Sequence, residues 1–139
     1  MVKTSLTGKK QGKAKGAKSP ERGGQKHTHM RENQAADILA EKGYIVEQNP
    51  GMLPNGKNPD YKIEGRYFDC LSPKSNNIDQ IRKGISRKVR SGQADRIVLN
   101  LDDSLFVPND ITEVLSRKPI KNLQEVIGIK GSRIIQIYP

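Results

Sequence analysis

The chain has 139 residues, with 25 Lys or Arg against 15 Asp or Glu, a net charge of +10. That length suits one domain with an appendage, the single cysteine (Cys70) excludes an intramolecular disulfide framework, and no stretch is apolar for long enough to span a bilayer. Aromatic residues make up 4% and Trp is absent, which argues against base stacking as the main grip on a single strand.

Most of the net positive charge lies at the start, where residues 1–31 hold nine basic residues and one acid, Glu21. The run "MVKTSLTGKKQGKAKGAKSPERGGQKHTH" is rich in Gly, Lys and Ser, and it has neither apolar periodicity nor the apolar core of a secretory signal. Such a segment buries too little surface to offset its ordering entropy, so residues 1–30 are expected to be a disordered basic leader or linker. It would attract polyanions through counterion release. His27 and His29 fall inside it with no ligand cluster nearby and read as functionally silent.

The composition changes at Arg31, and residues 31–139 are expected to form the folded domain. "RENQAADILAEKG" predicts a helix with Ala35, Ala36, Leu39 and Ala40 on one face and Gly43 as its stop. "YIVEQ" predicts a strand, followed by a loop rich in Pro, Asn and Gly over 49–59. Residues 60–64 and 66–71 predict a hairpin turning at Glu64 and Gly65. A helix is expected over 78–91, a buried strand over 95–101, and a helix from "NDITEVLSRK" capped by Asn109. Two strands around Lys130, Gly131 and Ser132 finish the chain. This order predicts an α/β fold with a mixed central sheet flanked by helices.

Four side chains stand out by position. Glu32 lies four residues before Ala36 and seven before Leu39, on the apolar stripe of its helix, where a carboxylate is costly to bury without a partner. Lys88 is three residues after Ile85 and seven after Ile81, at the edge of the buried face of the second helix. With the hairpin turn at Glu64 and Gly65, Asp60 and Asp69 fall opposite one another, and two facing carboxylates repel unless a cation sits between them. A divalent metal between them, Mg²⁺ by its preference for oxygen ligands, would resolve the conflict, polarise a phosphate and acidify a bound water. Arg82, Lys83, Arg87 and Arg90 spread toward solvent and suit a polyanion-facing surface. Cys70 sits in an apolar run and reads as a small core residue.

Glu32 in "RENQAADILAEKGY", Asp60 in "NPDY", Asp69 in "FDC" and Lys88 in the basic helix resemble the PD-(D/E)XK nuclease superfamily. The stretch from "ENQAADILAEKGYIVEQNP" through "QADRIVLNL" more narrowly resembles the C-terminal tRNase toxin domains of contact-dependent growth inhibition proteins. The usual motif places lysine two residues after the second acid, where this chain has Leu71, so the resemblance implies that Lys88 takes that role, with Lys74 as the nearer alternative. It further implies that Glu32, Asp60 and Asp69 orient a metal or water and that Lys88 stabilises charge in the transition state. Lys83, Arg87 and Arg90 would grip the phosphate backbone, with Lys74 and Ser72 contributing from the loop after the hairpin. The implied substrate is tRNA in the cytosol of a target bacterium, reached as the tip of a larger exported toxin. The implied partner is an immunity protein with an acidic surface. A DNase of the same fold and a non-catalytic nucleic-acid-binding module are the alternatives.

Overall fold

The computed structural model describes residues 3–139. Seven strands form one mixed sheet in chain order: β1 (Lys15–Gly16), β2 (Val46–Gln48), β3 (Tyr61–Ile63), β4 (Arg66–Leu71), β5 (Arg96–Asn100), β6 (Glu125–Lys130) and β7 (Arg133–Tyr138). β4, β5 and β6 run parallel, joined through helix α2 (Ile78–Arg90) and helix α3 (Pro108–Arg117), while β2, β3 and β4 meander antiparallel and β7 returns against β6. Among the described residues no helix is long and apolar enough to cross a membrane.

The period-2 alternation of the central strands makes two cores. Ile97 and Leu99 of β5 pack with Ile81, Ile85, Ile111 and Val114 beneath α2 and α3. Val98, between them in sequence, packs with Ala35, Ala36 and Leu39 of helix α1 (Lys26–Lys42) on the opposite face. One helix therefore covers one face and two cover the other, as the α/β reading required.

α2 begins where Asn77 accepts hydrogen bonds from the backbone N–H groups of Asp79 and Gln80 at 2.9 and 3.3 Å. Replacing Asn77 with Ala is expected to destabilise the protein by about 1 kcal/mol in urea unfolding, since two helix-end donors lose their acceptor. α3 starts one residue before the expected cap. Pro108 takes the first helical position, and the backbone N–H of Val107 donates to Asp110 Oδ2 at 2.9 Å, so Asn109 is not the cap. Arg82 also departs from the solvent-facing reading, because it donates to the backbone oxygens of Lys118 and Pro119 at 2.7 and 3.0 Å and covers the end of α3.

The leader differs most from expectation. Met1 and Val2 lie outside the described residues, but from Lys3 onward the segment lies against the domain. Thr4 Oγ1 donates to the buried Glu125 at 2.6 Å, Gly8 N donates to Gly43 O at 2.6 Å, and Ala14 packs on the α1 core. β1 pairs parallel with β2, and at Gly16 (φ +82°) a Cβ would fall 2.2 Å from Gln48 O, so only glycine fits there. α1 itself begins at Lys26, which puts the expected boundary at residue 31 inside a helix. The docking uses backbone groups and short polar side chains, and these leave no hydrophobic period to read.

Candidate active site

β3 stops pairing with β4 at Tyr61 and Phe68, while residues 69–71 of β4 continue against β5 alone. The shortened β3 leaves a notch where side chains from opposite faces of the sheet meet. A cleft of about 590 Å³ occupies it, and its walls include Thr28, His29 and Glu32 of α1, Asp60, Asp69 and Cys70 of the hairpin, and Arg87, Lys88 and Ser91 from the end of α2. Clefts of similar volume occur elsewhere, but their walls carry no comparable set of buried carboxyls with an ammonium.

The hairpin turn is two residues long, and Glu64 and Gly65 both have positive φ (50° and 80°), the backbone that keeps a two-residue connection in step with strand twist. The register Tyr61↔Phe68, carried one step further, sets Asp60 against Asp69. The two are linked through the backbone: Asp60 N donates to Asp69 Oδ1 at 3.1 Å and Cys70 N donates to Asp60 Oδ2 at 2.8 Å. Burial, and then the charge and hydrogen bond of Asp69, push the Asp60 carboxyl far up, to about 9; Glu32 adds to this and the Cys70 N–H opposes it. Asp60 is therefore the acid driven toward its protonated form at neutral pH.

α2 supplies the cation. Lys88 Nζ donates to Asp69 Oδ2 at 2.5 Å, with Asp69 itself only 2% exposed. Burial pulls the Lys88 ammonium down, but the adjoining Asp69 carboxylate outweighs it and the net shift is upward, so Lys88 stays charged. Gly84, one turn earlier, lets α2 lie close to the end of β4, where a Cβ would come within 3.2 Å of the Leu71 side chain. Lys74 lies exposed in the following loop, away from the cleft walls, and Lys88 rather than Lys74 meets the acids.

α1 delivers Glu32 from the other face, 5% exposed. Its backbone oxygen accepts from Tyr61 Oη at 2.6 Å and its Oε1 from Ser19 Oγ at 2.7 Å, while no described residue donates to Oε2. Burial pushes the Cys70 thiol up, which fits a packing role.

The structure thus brings Glu32, Asp60, Asp69, Lys88 and Arg87 together. Lys83 and Arg90 are exposed on α2 within a turn of Arg87, and Ser72 is half-buried in the loop beyond β4; none of these three lines the cleft. The side chains of Lys83, Arg87 and Arg90 have no hydrogen bond or ion pair to other described residues. No group of three His, Cys, Asp or Glu among the described residues is spaced to hold a metal ion, and Lys88 already occupies Asp69. Glu32 Oε2 remains as a hard oxygen donor, which Asp60 would join only once ionised.

His29 was missed from sequence. It lies three residues before Glu32 on the same helix face and lines the cleft, and its Nδ1 is 2.6 Å from Pro20 O. A carbonyl oxygen only accepts, so Nδ1 carries the proton. The available signal was helical spacing from Glu32, hidden because the helix was started at residue 31. His27 instead meets Asp103 at 2.7 Å, beside the Arg31 to Asp103 ion pair.

The family model for the contact-dependent growth inhibition CdiA C-terminal domain matches residues 57–135, which include Asp60, Asp69 and Lys88 but not Glu32. The chain belongs to this family. This CdiA C-terminal domain is 49% identical over 100 residues to the tRNA nuclease CdiA-2 of Burkholderia pseudomallei strain 1026b; the match takes in 72% of the chain and 3% of that far longer relative. Its fold also matches the toxin and immunity complex CdiA-CT/CdiI from Burkholderia pseudomallei, with a TM-score of 0.84 and 41% identity over 92% of this chain and 100% of the matched one. The mixed α/β architecture read from the sequence is therefore that of the CdiA C-terminal toxins.

Proposed function

We propose that this CdiA C-terminal domain is an endoribonuclease that cleaves tRNA in the cytosol of a target bacterium, where it arrives as part of a larger exported toxin. The observation that carries the reading is the convergence of Glu32, Asp60, Asp69 and Lys88 in one cleft beside the unpaired cations of α2. The tRNA nuclease name of the 49% identical relative supports the substrate, and the matched toxin and immunity complex supports an immunity protein as partner. That partner would present acids to the basic rim of the cleft.

The residues divide the chemistry of phosphodiester hydrolysis among them. Glu32 Oε2, open to the cleft, orients the attacking water and accepts its proton as the new P–O bond forms. Asp60, holding the shared proton, donates it to the leaving sugar oxygen as the old P–O bond breaks. Lys88, fixed by Asp69, faces the charge that builds on the non-bridging oxygens. Mg²⁺ would be held by Glu32 and Asp60 only with Asp60 ionised, and would then polarise the phosphate and acidify the water in place of the Asp60 proton.

Arg87, on the cleft wall, holds the backbone without reading bases, and Lys83 and Arg90 extend that grip. Arg87→Ala is expected to raise KM about tenfold with kcat little changed, and to lower the salt slope of tRNA binding by about one. Incubating the purified chain with total tRNA and with plasmid, each with Mg²⁺ or with EDTA, tests the function. Cleaved tRNA beside intact plasmid is expected. Cut plasmid would make it a DNase, and tight binding without cleavage would make it a binding module. Loss of cleavage in EDTA would establish the metal.

A further inference from the structure

The basic leader reaches the cleft at one place. Ser19 lies 13 residues before Glu32, is 5% exposed despite its neighbours Lys18 and Pro20 being open to solvent, and donates through Oγ to Glu32 Oε1 at 2.7 Å. The hydroxyl has one proton to give. Asn49 Nδ2 approaches the same oxygen at 3.3 Å as a donor, which occupies a lone pair and leaves the Ser19 proton aimed at Glu32.

The segment around Ser19 is held by other groups. Asn33, the residue after Glu32, accepts from Ser19 N at 2.8 Å and donates to Ser19 O at 2.9 Å and Glu21 Oε2 at 2.8 Å. Asn49 Nδ2 donates to Ala17 O at 2.6 Å, and Gln48 Nε2 donates to Asn33 Oδ1 at 2.8 Å. The position of residues 17–21 therefore rests on backbone groups and on amide side chains of α1 and β2. The Ser19 hydroxyl is not needed to dock the strap, and its buried contact is with a cleft carboxyl. The next residue fixes a second wall of the cleft, because Pro20 O accepts from His29 Nδ1.

We propose that residues 17–21 form a strap that completes the active site, with Ser19 as the positioning residue that holds Glu32 Oε1 so that Oε2 faces the scissile phosphate. This rests on the hydrolytic reading of the cleft. Without the hydroxyl, Glu32 can turn either oxygen inward or swing toward Ser19, and its geometry toward water is lost while the substrate grip on α2 is untouched. A misplacement of that kind acts on the chemical step.

The test uses the full chain with Ser19→Ala and Ser19→Thr. Ser19→Ala is expected to lower kcat at least tenfold with KM unchanged and a thermal midpoint lowered by no more than the loss of one buried hydrogen bond accounts for, and Ser19→Thr, which restores a hydroxyl, is expected to recover most of the rate. In carbonyl ¹³C spectra of Glu-labelled protein at fixed pH, the Glu32 carboxyl resonance is expected to move in Ser19→Ala and to return in Ser19→Thr. An unchanged kcat, a fall in thermal midpoint in proportion to the activity, or a Glu32 resonance indifferent to Ser19 would each overturn the proposal. A wild-type chain that cleaves no RNA would defeat the hydrolytic reading instead, and the carboxyl resonance would still decide whether Ser19 holds Glu32.

Discussion

Lys88→Met is expected to lower kcat by roughly a hundredfold to a thousandfold in tRNA cleavage, the loss that follows removal of one preorganised charge from a transition state. The ammonium sits 2.5 Å from Asp69 in a cleft closed on both sides by helices, so water replaces it poorly. Stability falls as well. Asp69, 2% exposed, would be left with a raised acid on one side and no cation on the other, and breaking a buried pair of this kind costs about 3 kcal/mol. Urea unfolding at neutral pH should show the loss. Adding Asp69→Asn to Lys88→Met should recover stability without activity, because both charges then leave together. Lys74→Ala is expected to be at least an order of magnitude milder than Lys88→Met in kcat; the opposite ranking would move the catalytic cation to the loop after β4.

Asp60→Asn should abolish cleavage and yet stabilise the protein at neutral pH. Burial and Asp69 raise the folded acid to about 9, against about 4 in the unfolded chain, so folding at pH 7 takes up a proton that the unfolded chain has already released. The sign is opposite to that of a salt-bridged aspartate. Its cost to stability is absent below pH 4, grows as pH rises between the two values, and levels off above the folded value. Asparagine imitates the protonated acid and removes this cost, a gain on the order of 2 kcal/mol at pH 7 after allowance for the partial exposure of the group. Thermal unfolding should show the gain widening from pH 5 to pH 8 and vanishing near pH 4. An Asp60→Asn protein less stable than wild type at pH 8 would mean that Asp60 is ionised in the native state and that the shared proton is not there.

Some of this site was visible in the residues taken alone. The Glu64 and Gly65 turn fixes a two-residue connection, a two-residue connection fixes the register, and the register fixes Asp60 opposite Asp69. Helical period placed Glu32 on the stripe that carries Ala36 and Leu39, and placed Lys88 at the margin of the stripe that carries Ile81 and Ile85. In each case the informative neighbours lie within about two helical turns or one hairpin, so local geometry carries the inference. The resemblance to the toxin domains of contact-dependent growth inhibition proteins is matched by the CdiA C-terminal family model over residues 57–135.

The rest depended on contacts that no local rule contains. Cys70 and the Asp60 to Asp69 pair share their notch with Glu32 because β3 ends one residue short of them, so that helices on opposite faces of the sheet meet at one edge. Lys88, preferred to Lys74 already from its place on the helix and the resemblance, reaches Asp69 because of where α2 lies against β4. The leader was misread because composition measures how much apolar surface a segment can bury, whereas Thr4, Ser19 and Gly16 dock through hydrogen bonds and close backbone approach. By itself the sequence determined the elements and the facing acids, since these follow from periods and turns. Tertiary structure alone decided that Lys88 pairs directly with Asp69 and that residues 17–21 belong to the site, because both depend on groups brought together from distant parts of the chain.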